Sequence, residues 1–572
     1  MPEKHTNLDT ADVEAIVRTY LARMARRYTP LIGSLLVLLL LATLMPSRSP
    51  QQITDVAGSN EQADDGFDSL PGDTDDSTSP DGGGGGSSNT PSSPTASGPG
   101  AITQPPPPGT KGIARSGVSC GPGVRQVKWT VYAPLCTPKF TGNNGGDTYR
   151  GVTKEKITGF YRMASSAQDS AINAALGDAN LDDDKYLADM KTYMGFFNKQ
   201  FELYGRQLDI VTYDAQGDYL QEHQGLDQGQ AQADAQRAVD MKGFVDVTFP
   251  LKGSYPFWEA LAKRKTMTMG PTGFPNRWYK DREPYWYTVL PTGTGVANWL
   301  SMITCKRMAK MNAIFAGDPL YKNSKRVFGL VHPENPEYQE IATAIMSAMK
   351  KCGAEPVRKI AYTINVGEMG GESASIAAQL KAANVTTALC YCDPVFPIFL
   401  MNSAEGQQYH PEWWSPAWGD SQGQQLPEEQ WKHAFVVGAR YPARKVDQAY
   451  QVFKMIKPNA EPESPYYALA YSVMLMLFDA LQQAGPNLNP ATFLKGWTGL
   501  GSIKGPAGTL EWKPGNYSPV VSAPAAWWDP DRTSEFNGEA GSYVNCDGGK
   551  FFPFDTKRVA EYGSGQLHCF GK

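Results

Sequence analysis

Apolar positions change period along residues 150–500. Short runs that are almost wholly apolar alternate with longer stretches whose apolar residues recur every three or four positions. The first pattern predicts strands buried on both faces, the second helices with one buried face. ITGFYRM (157–163), QLDIVTYDAQGD (207–218), FVDVTF (244–249) and KTMTMG (265–270) predict strands. ADMKTYMGFFNKQFELYG (188–205), QADAQRAVDMKG (232–243) and PFWEALAKR (256–264) predict the helices between them, the first stopped at Gly205. After the aromatic stretch 278–287 the alternation restarts with GVANWLSMITCKRMAKM (295–311) as a helix and RVFGLVH (326–332) as a buried strand. EYQEIATAIMSAMKKCG (337–353) and ESASIAAQLKAANV (372–385) predict helices around the strand PVRKIAYTI (356–364). TTALCYC (386–392), EWWSPAW (412–418) and HAFVVGA (433–439) follow as strands, and three helices close the series at 445–457, 465–485 and 489–497. In EWWSPAW, Trp413 and Trp414 point to opposite faces, so one of them is expected in the core.

Two such runs predict an α/β protein of two doubly wound parallel-sheet lobes. Lobe 1 spans about 150–290 and 440–500, because the late helices cross back to it; lobe 2 spans about 291–439. A tail at 501–572, rich in glycine, proline and aromatics, reads as strands and loops wrapped on one lobe.

The first 118 residues follow another rule. LIGSLLVLLLLATL (31–44) carries no charge, and with its flanks (28–46) it reaches the lower limit for a membrane-spanning helix. Arg18, Arg23, Arg26 and Arg27 precede it and only Arg48 follows closely, which keeps the N-terminus in the cytoplasm and exports the rest. A cleaved signal peptide is the alternative; the long lead-in and the lack of a small-x-small site in TLMPSRSPQQ favour an uncleaved anchor. DVEAIVRTYLARMARR (12–27) has helical spacing with arginines on one face, either a topogenic lead-in or a helix lying on the inner leaflet. Residues 47–118 are Gly, Ser, Pro, Asp and Thr with a five-glycine run, a composition that cannot bury enough apolar area to order itself. They read as a disordered tether.

Charge adds little: 53 basic against 58 acidic residues suggest no nucleic-acid partner. The eight cysteines all lie beyond the anchor, between Cys120 and Cys569, and no CxxC occurs. An even count in an exported region predicts disulfides. Cys120 with Cys136, Cys305 with Cys352 and Cys546 with Cys569 are the expected pairs. Cys390 and Cys392 lie on one strand face, as a local bridge, two buried thiols or metal ligands. No cofactor or structural metal is otherwise expected.

ITGFYRMASS, FGLVHPENPEYQEIATAIMSAMKKCGAEPV and NVTTALCYCDP, in that order, resemble type I periplasmic (extracytoplasmic) solute-binding proteins of the branched-chain amino acid and amide branch. The resemblance covers about 150–500 and implies two hinged lobes closing on a small ligand, delivered to an ABC permease. It places ligand contacts just after the strands: Ser165 and Ser166; Phe249 and Ser254; Thr272; His332, Glu334 and Asn335; Asp393; Trp418 and Asp420. It implies Ser165, Ser254 and Thr272 for a carboxylate, Asp393 or Asp420 for an ammonium, and Tyr161, Phe249, Tyr255 or Trp418 for an apolar portion. The structural alternatives are turn and helix caps for the serines, Thr272 and Asp393, and a satisfied buried imidazole for His332. Phe249, Pro250 and Lys252 are bulkier and more basic than the small hydroxyl residues of the family at that turn.

The expected function is therefore capture of an amino acid or amide-like solute by a tethered head, with a non-transporting sensor or protein-binding head of the same fold as the alternative. An exported hydrolase is a third reading, on Gly419-Asp420-Ser421, but no GxSxG elbow accompanies it.

Overall fold

A computed structural model describes residues 101–165, 182–416, 419–437 and 444–569. The segments expected as a basic helix, a membrane anchor and, up to residue 100, a tether lie outside them. Among the described residues no helix is long and apolar enough to cross a membrane.

The first lobe is built on β1 (Lys156–Met163), in which Phe160 and Tyr161 are both buried, one on each face. It pairs in parallel with β2 (Gln207–Asp214) from Lys156↔Gln207 to Met163↔Asp214. On its other side lie β3 (Val245–Asp246) and β4 (Met267–Thr268), giving the all-parallel order β2-β1-β3-β4. The ladder of β3 is shorter than the apolar run FVDVTF because the chain turns toward the strand ends: Thr248 Oγ already accepts from the Arg162 amide at 2.9 Å. Helix α1 (Asp183–Gln200) begins five residues before its apolar pattern, because the Asp182 side chain caps the amides of Asp184 and Lys185. Helices α2 (Tyr219–His223), α3 (Gln228–Asp240) and α4 (Tyr255–Lys263) complete this lobe's first pass.

The second lobe has a sheet of seven strands. Its parallel part is β5 (Phe328–Pro333), β6 (Arg358–Tyr362), β7 (Thr387–Cys390), β8 (Glu412–Pro416) and β9 (Ala434–Val437), in the order β6-β5-β7-β8-β9. The tail then adds β10 (Ala525–Thr533) and β11 (Ala540–Asn545) as antiparallel strands beyond β9, with Phe435 opposite Trp527. Trp413 and Trp414 are both fully buried, not one of the two, because each face of β8 is covered. Trp414 meets Trp299 of α5 (Gly293–Arg307), whose indole N–H donates to Ala523 of the tail at 2.8 Å. Helices α6 (Pro336–Lys351) and α7 (Phe396–Gly406) follow β5 and β7. The chain then crosses back: α8 (Tyr467–Ala484) packs on α1, with Phe478 and Tyr471 ringing Phe197 at 5.6 and 5.9 Å.

Residues 101–118, assigned by composition to the tether, are pinned to the head. Thr103 and Gly109 donate backbone hydrogen bonds to Asn143 and Cys136, and Gly112–Ile113 pairs with Ser119–Cys120. Long-range partners supply what the composition lacks. The disulfides Cys120–Cys136, Cys305–Cys352 and Cys546–Cys569 form as expected, and Cys390 and Cys392 bridge each other around Tyr391.

Candidate functional site

Between the carboxyl ends of the two parallel sheets lies a cleft of about 600 Å³. Lobe 1 lines it with Glu222, His223, Gln224 and Gly225 at the end of α2, with Gln228, with Tyr255 and Pro256 at the start of α4, and with Trp278. Lobe 2 contributes Glu334, Asn335, Pro336 and Glu337 from the turn between β5 and α6, and Thr363 and Ile364 after β6.

The lobe 1 wall is held from behind by a buried ion cluster. Arg162, on β1, donates from Nη1 to Glu222 at 3.1 Å and from Nε to Asp234 of α3 at 2.9 Å. Its guanidinium lies 4.6 Å from the centre of the Phe257 ring. The Ser254 hydroxyl donates to the same Glu222 carboxylate and also caps α4. Burial alone would lower the Arg162 pKa; hydrogen bonding and charge from Glu222, then Asp234, outweigh it and leave the group above its usual value. This cluster fixes α2 and so places His223 at the cleft.

On the lobe 2 side, Asp393 accepts from the Tyr362 hydroxyl at 2.5 Å and from the amides of Val395 and Phe396 at 2.7 and 3.1 Å. Burial nonetheless raises its carboxyl above the ordinary value. His332 turns Nδ1 to the Pro333 carbonyl at 2.6 Å, and burial lowers its pKa. His223 is likewise pushed down by burial, against a backbone hydrogen bond at Gly253 and the field of Asp393.

The lobes meet across the cleft mouth. Asn335 Nδ2 donates to the His223 carbonyl at 2.9 Å. Arg277 forks onto Glu340, and the Trp278 indole N–H donates to the same carboxylate at 3.1 Å. The Tyr391 hydroxyl reaches the Gly273 carbonyl at 3.4 Å. At the start of α5 the backbones approach so closely that a Cβ on Gly293 would lie 2.1 Å from the Gly273 carbonyl oxygen. These contacts join the two lobes beside the cleft.

A family model for periplasmic binding proteins matches residues 155–530. The chain belongs to this family. The solved structure of a leucine-, isoleucine-, valine-, threonine- and alanine-binding protein from Brucella ovis, in its closed conformation, matches with a TM-score of 0.53 at 13% identity, over 73% of this chain and 100% of that one. An ABC transporter substrate-binding protein from Aeropyrum pernix matches with a TM-score of 0.51 at 11% identity, over 71% and 98%. No curated protein matches the chain.

This type I periplasmic binding protein uses the residues after its strands in two ways. Glu334 and Asn335, after β5, line the cleft, as does Tyr255. Most of the other expected contacts hold the framework. Phe249 is 1% exposed, between Tyr186 at 4.5 Å and Tyr466 at 5.1 Å. Ser254, His332 and Asp393 stand behind the wall with the partners given above. Ser165 lies exposed two residues beyond β1, and Thr272 lies half-buried in the turn before Gly273; neither lines the cleft. Asp420 is engaged elsewhere: its carboxylate accepts from Ser534 and Ser542 at 2.8 and 3.0 Å and from the Tyr543 amide, fastening the tail to lobe 2. Ser166 and Trp418 lie outside the described residues. The strand-end rule missed Glu222, His223, Trp278, Glu337, Thr363 and Ile364. The signal for Glu337 was its place in the first turn of a helix opening just after a buried strand.

Proposed function

We propose that this periplasmic binding protein is an extracytoplasmic head, tethered through residues 28–46, that closes on a small polar solute of the amino-acid or amide-like class and presents it to an ABC permease. The observation that carries the reading is a polar and aromatic cleft at the strand ends with both lobes engaged across its mouth. Pockets of this volume and lining suit small-molecule ligands. The uncharged stretch 31–44, preceded by arginines, supports the tether, and four disulfides suit an oxidising compartment.

The test is thermal unfolding of the full-length protein against amino acids, amides, short peptides, urea and polyols. A ligand at a hundred times its dissociation constant adds about 2.7 kcal/mol to stability. Absence of any shift in folded, ligand-free protein would overturn solute capture. Protease added to intact cells should remove the head and spare the N-terminus; a protected head would overturn the assigned sidedness.

A further inference from the structure

The charges of the cleft do not balance. Glu222, Glu334 and Glu337 line it, and among the described residues no lysine or arginine does. Glu222 has its countercharge in Arg162, and Glu334 is exposed to solvent. Glu337 has no countercharge and little solvent. It is 7% exposed and forms no ion pair or hydrogen bond with another residue among those described. Burial accordingly raises its carboxyl above the ordinary value. A buried carboxylate with no countercharge is costly even at a helix N-terminus, and a cation placed beside it lowers the cost.

Nothing comparable awaits an anion. Burial holds His223 toward its neutral form, and the Arg162 guanidinium is saturated by Glu222 and Asp234. The Thr363 hydroxyl and amide both donate to Glu372. The apolar lining is aromatic. Cations already gather on these rings: Arg282 lies 5.6 Å from the centre of Tyr255, and Arg282 and Arg277 lie 5.3 and 5.7 Å from that of Trp278, so the electron-rich wall is one that suits positive charge. Trp278 is also tied to α6 through Glu340, one turn beyond Glu337, which holds the ring wall to the helix that carries the carboxylate.

We propose that the ligand is an organic cation: an amine on an apolar or aromatic body, with its ammonium against Glu337 and its body on Tyr255 and Trp278, and with no requirement for a carboxylate. This rests on solute capture in the same cleft and narrows it.

The test is titration calorimetry on the full-length protein with four ligands of one skeleton: phenethylamine, phenylalanine, 3-phenylpropanamide and 3-phenylpropanoate. The amine should bind at least tenfold tighter than the neutral amide, and the acid weakest. Glu337→Gln should weaken the amine at least tenfold and leave the amide within twofold. Amide or acid binding within threefold of the amine overturns the cation assignment and leaves solute capture standing, as does an unchanged amine affinity in folded Glu337→Gln. Silence from all four on the wild-type chain overturns the cation assignment and leaves solute capture to the wider panel. The charge series on the wild-type chain decides the assignment even where the variant does not fold.

Discussion

Replacing Arg162 by methionine tests the frame on which the cleft is hung. The Arg162 side chain is 2% exposed, and those of Glu222 and Asp234 are 0%. Methionine keeps the aliphatic stem but removes the fork to Glu222, the bond to Asp234 and the contact with the Gly217 carbonyl. Two carboxylates are then buried without a countercharge. Breaking such a pair costs about 3–5 kcal/mol, because the orphaned charge keeps its desolvation penalty. The folded-to-unfolded ratio should therefore fall by about two to three and a half powers of ten. Urea unfolding of the full-length protein, followed by tryptophan fluorescence and analysed by linear extrapolation, measures this directly. The triple variant Arg162→Met/Glu222→Gln/Asp234→Asn should recover most of the loss, since neutral replacement of a buried ion network is often close to neutral in stability. A single variant within about 1 kcal/mol of wild type, or a triple variant no better than the single, would refute the argument that the cluster's charges must balance.

Three further outcomes follow from the same physics. Asp393→Ala should lower stability by about 1–2 kcal/mol, because it uncaps the amides of Val395 and Phe396 at the start of α7, while Asp393→Asn should lose less; equal unfolding midpoints for wild type and the alanine variant contradict this. Asp479, on α8, is buried with neither carboxylate oxygen hydrogen-bonded, and burial holds its pKa well above the ordinary value. A raised folded-state pKa contributes stability that is full below the unfolded value and is lost as pH rises through the folded one, so Asp479→Asn should stabilise the protein at pH 7–8 and little at pH 4; a uniform loss at both would exclude that account. Thiol titration of denatured, unreduced protein should find no free thiol and, after reduction, eight; two free thiols before reduction would point to an open Cys390–Cys392 pair.

The lobes were legible because parallel strands covered on both faces leave near-continuous apolar runs. Phe328–Pro333 is buried at every position, and its sequence reads so. Strand ends were less legible: FVDVTF and KTMTMG keep their extended character into the turns, but only two residues of each enter the ladder. The destination of the tail could not be read at all. Its aromatic stretch AAWWDP pairs with a strand some 90 residues earlier (Trp527 with Phe435), and local pattern carries no register over such a distance. The same blindness applies to 101–118, whose composition is that of a linker and whose order comes from partners elsewhere in the chain.

The site was half legible, for a reason that the individual side chains make plain. Polar residues at the ends of buried strands are the natural candidates for ligand contact, but buried polar groups must be satisfied before any ligand arrives. Ser254 is satisfied by Glu222 and a helix cap, Asp393 by Tyr362 and two amides, and Asp420 by the tail. Each holds a loop in place, and none lines the cleft. Beside Glu334 and Asn335 and Thr363 and Ile364 at the ends of β5 and β6, the lining comes from positions further along the chain, on α2 and in the first turns of α4 and α6. Glu337 illustrates the distinction. A glutamate in a helix's first turn is ordinary in sequence, since the helix dipole favours it there. What singles it out is burial without a countercharge, and that is a property of the assembled fold, not of the residues around position 337. A search for ligand contacts in folds of this kind should therefore discount polar residues already matched by the framework and weigh those left unmatched at the interface between lobes.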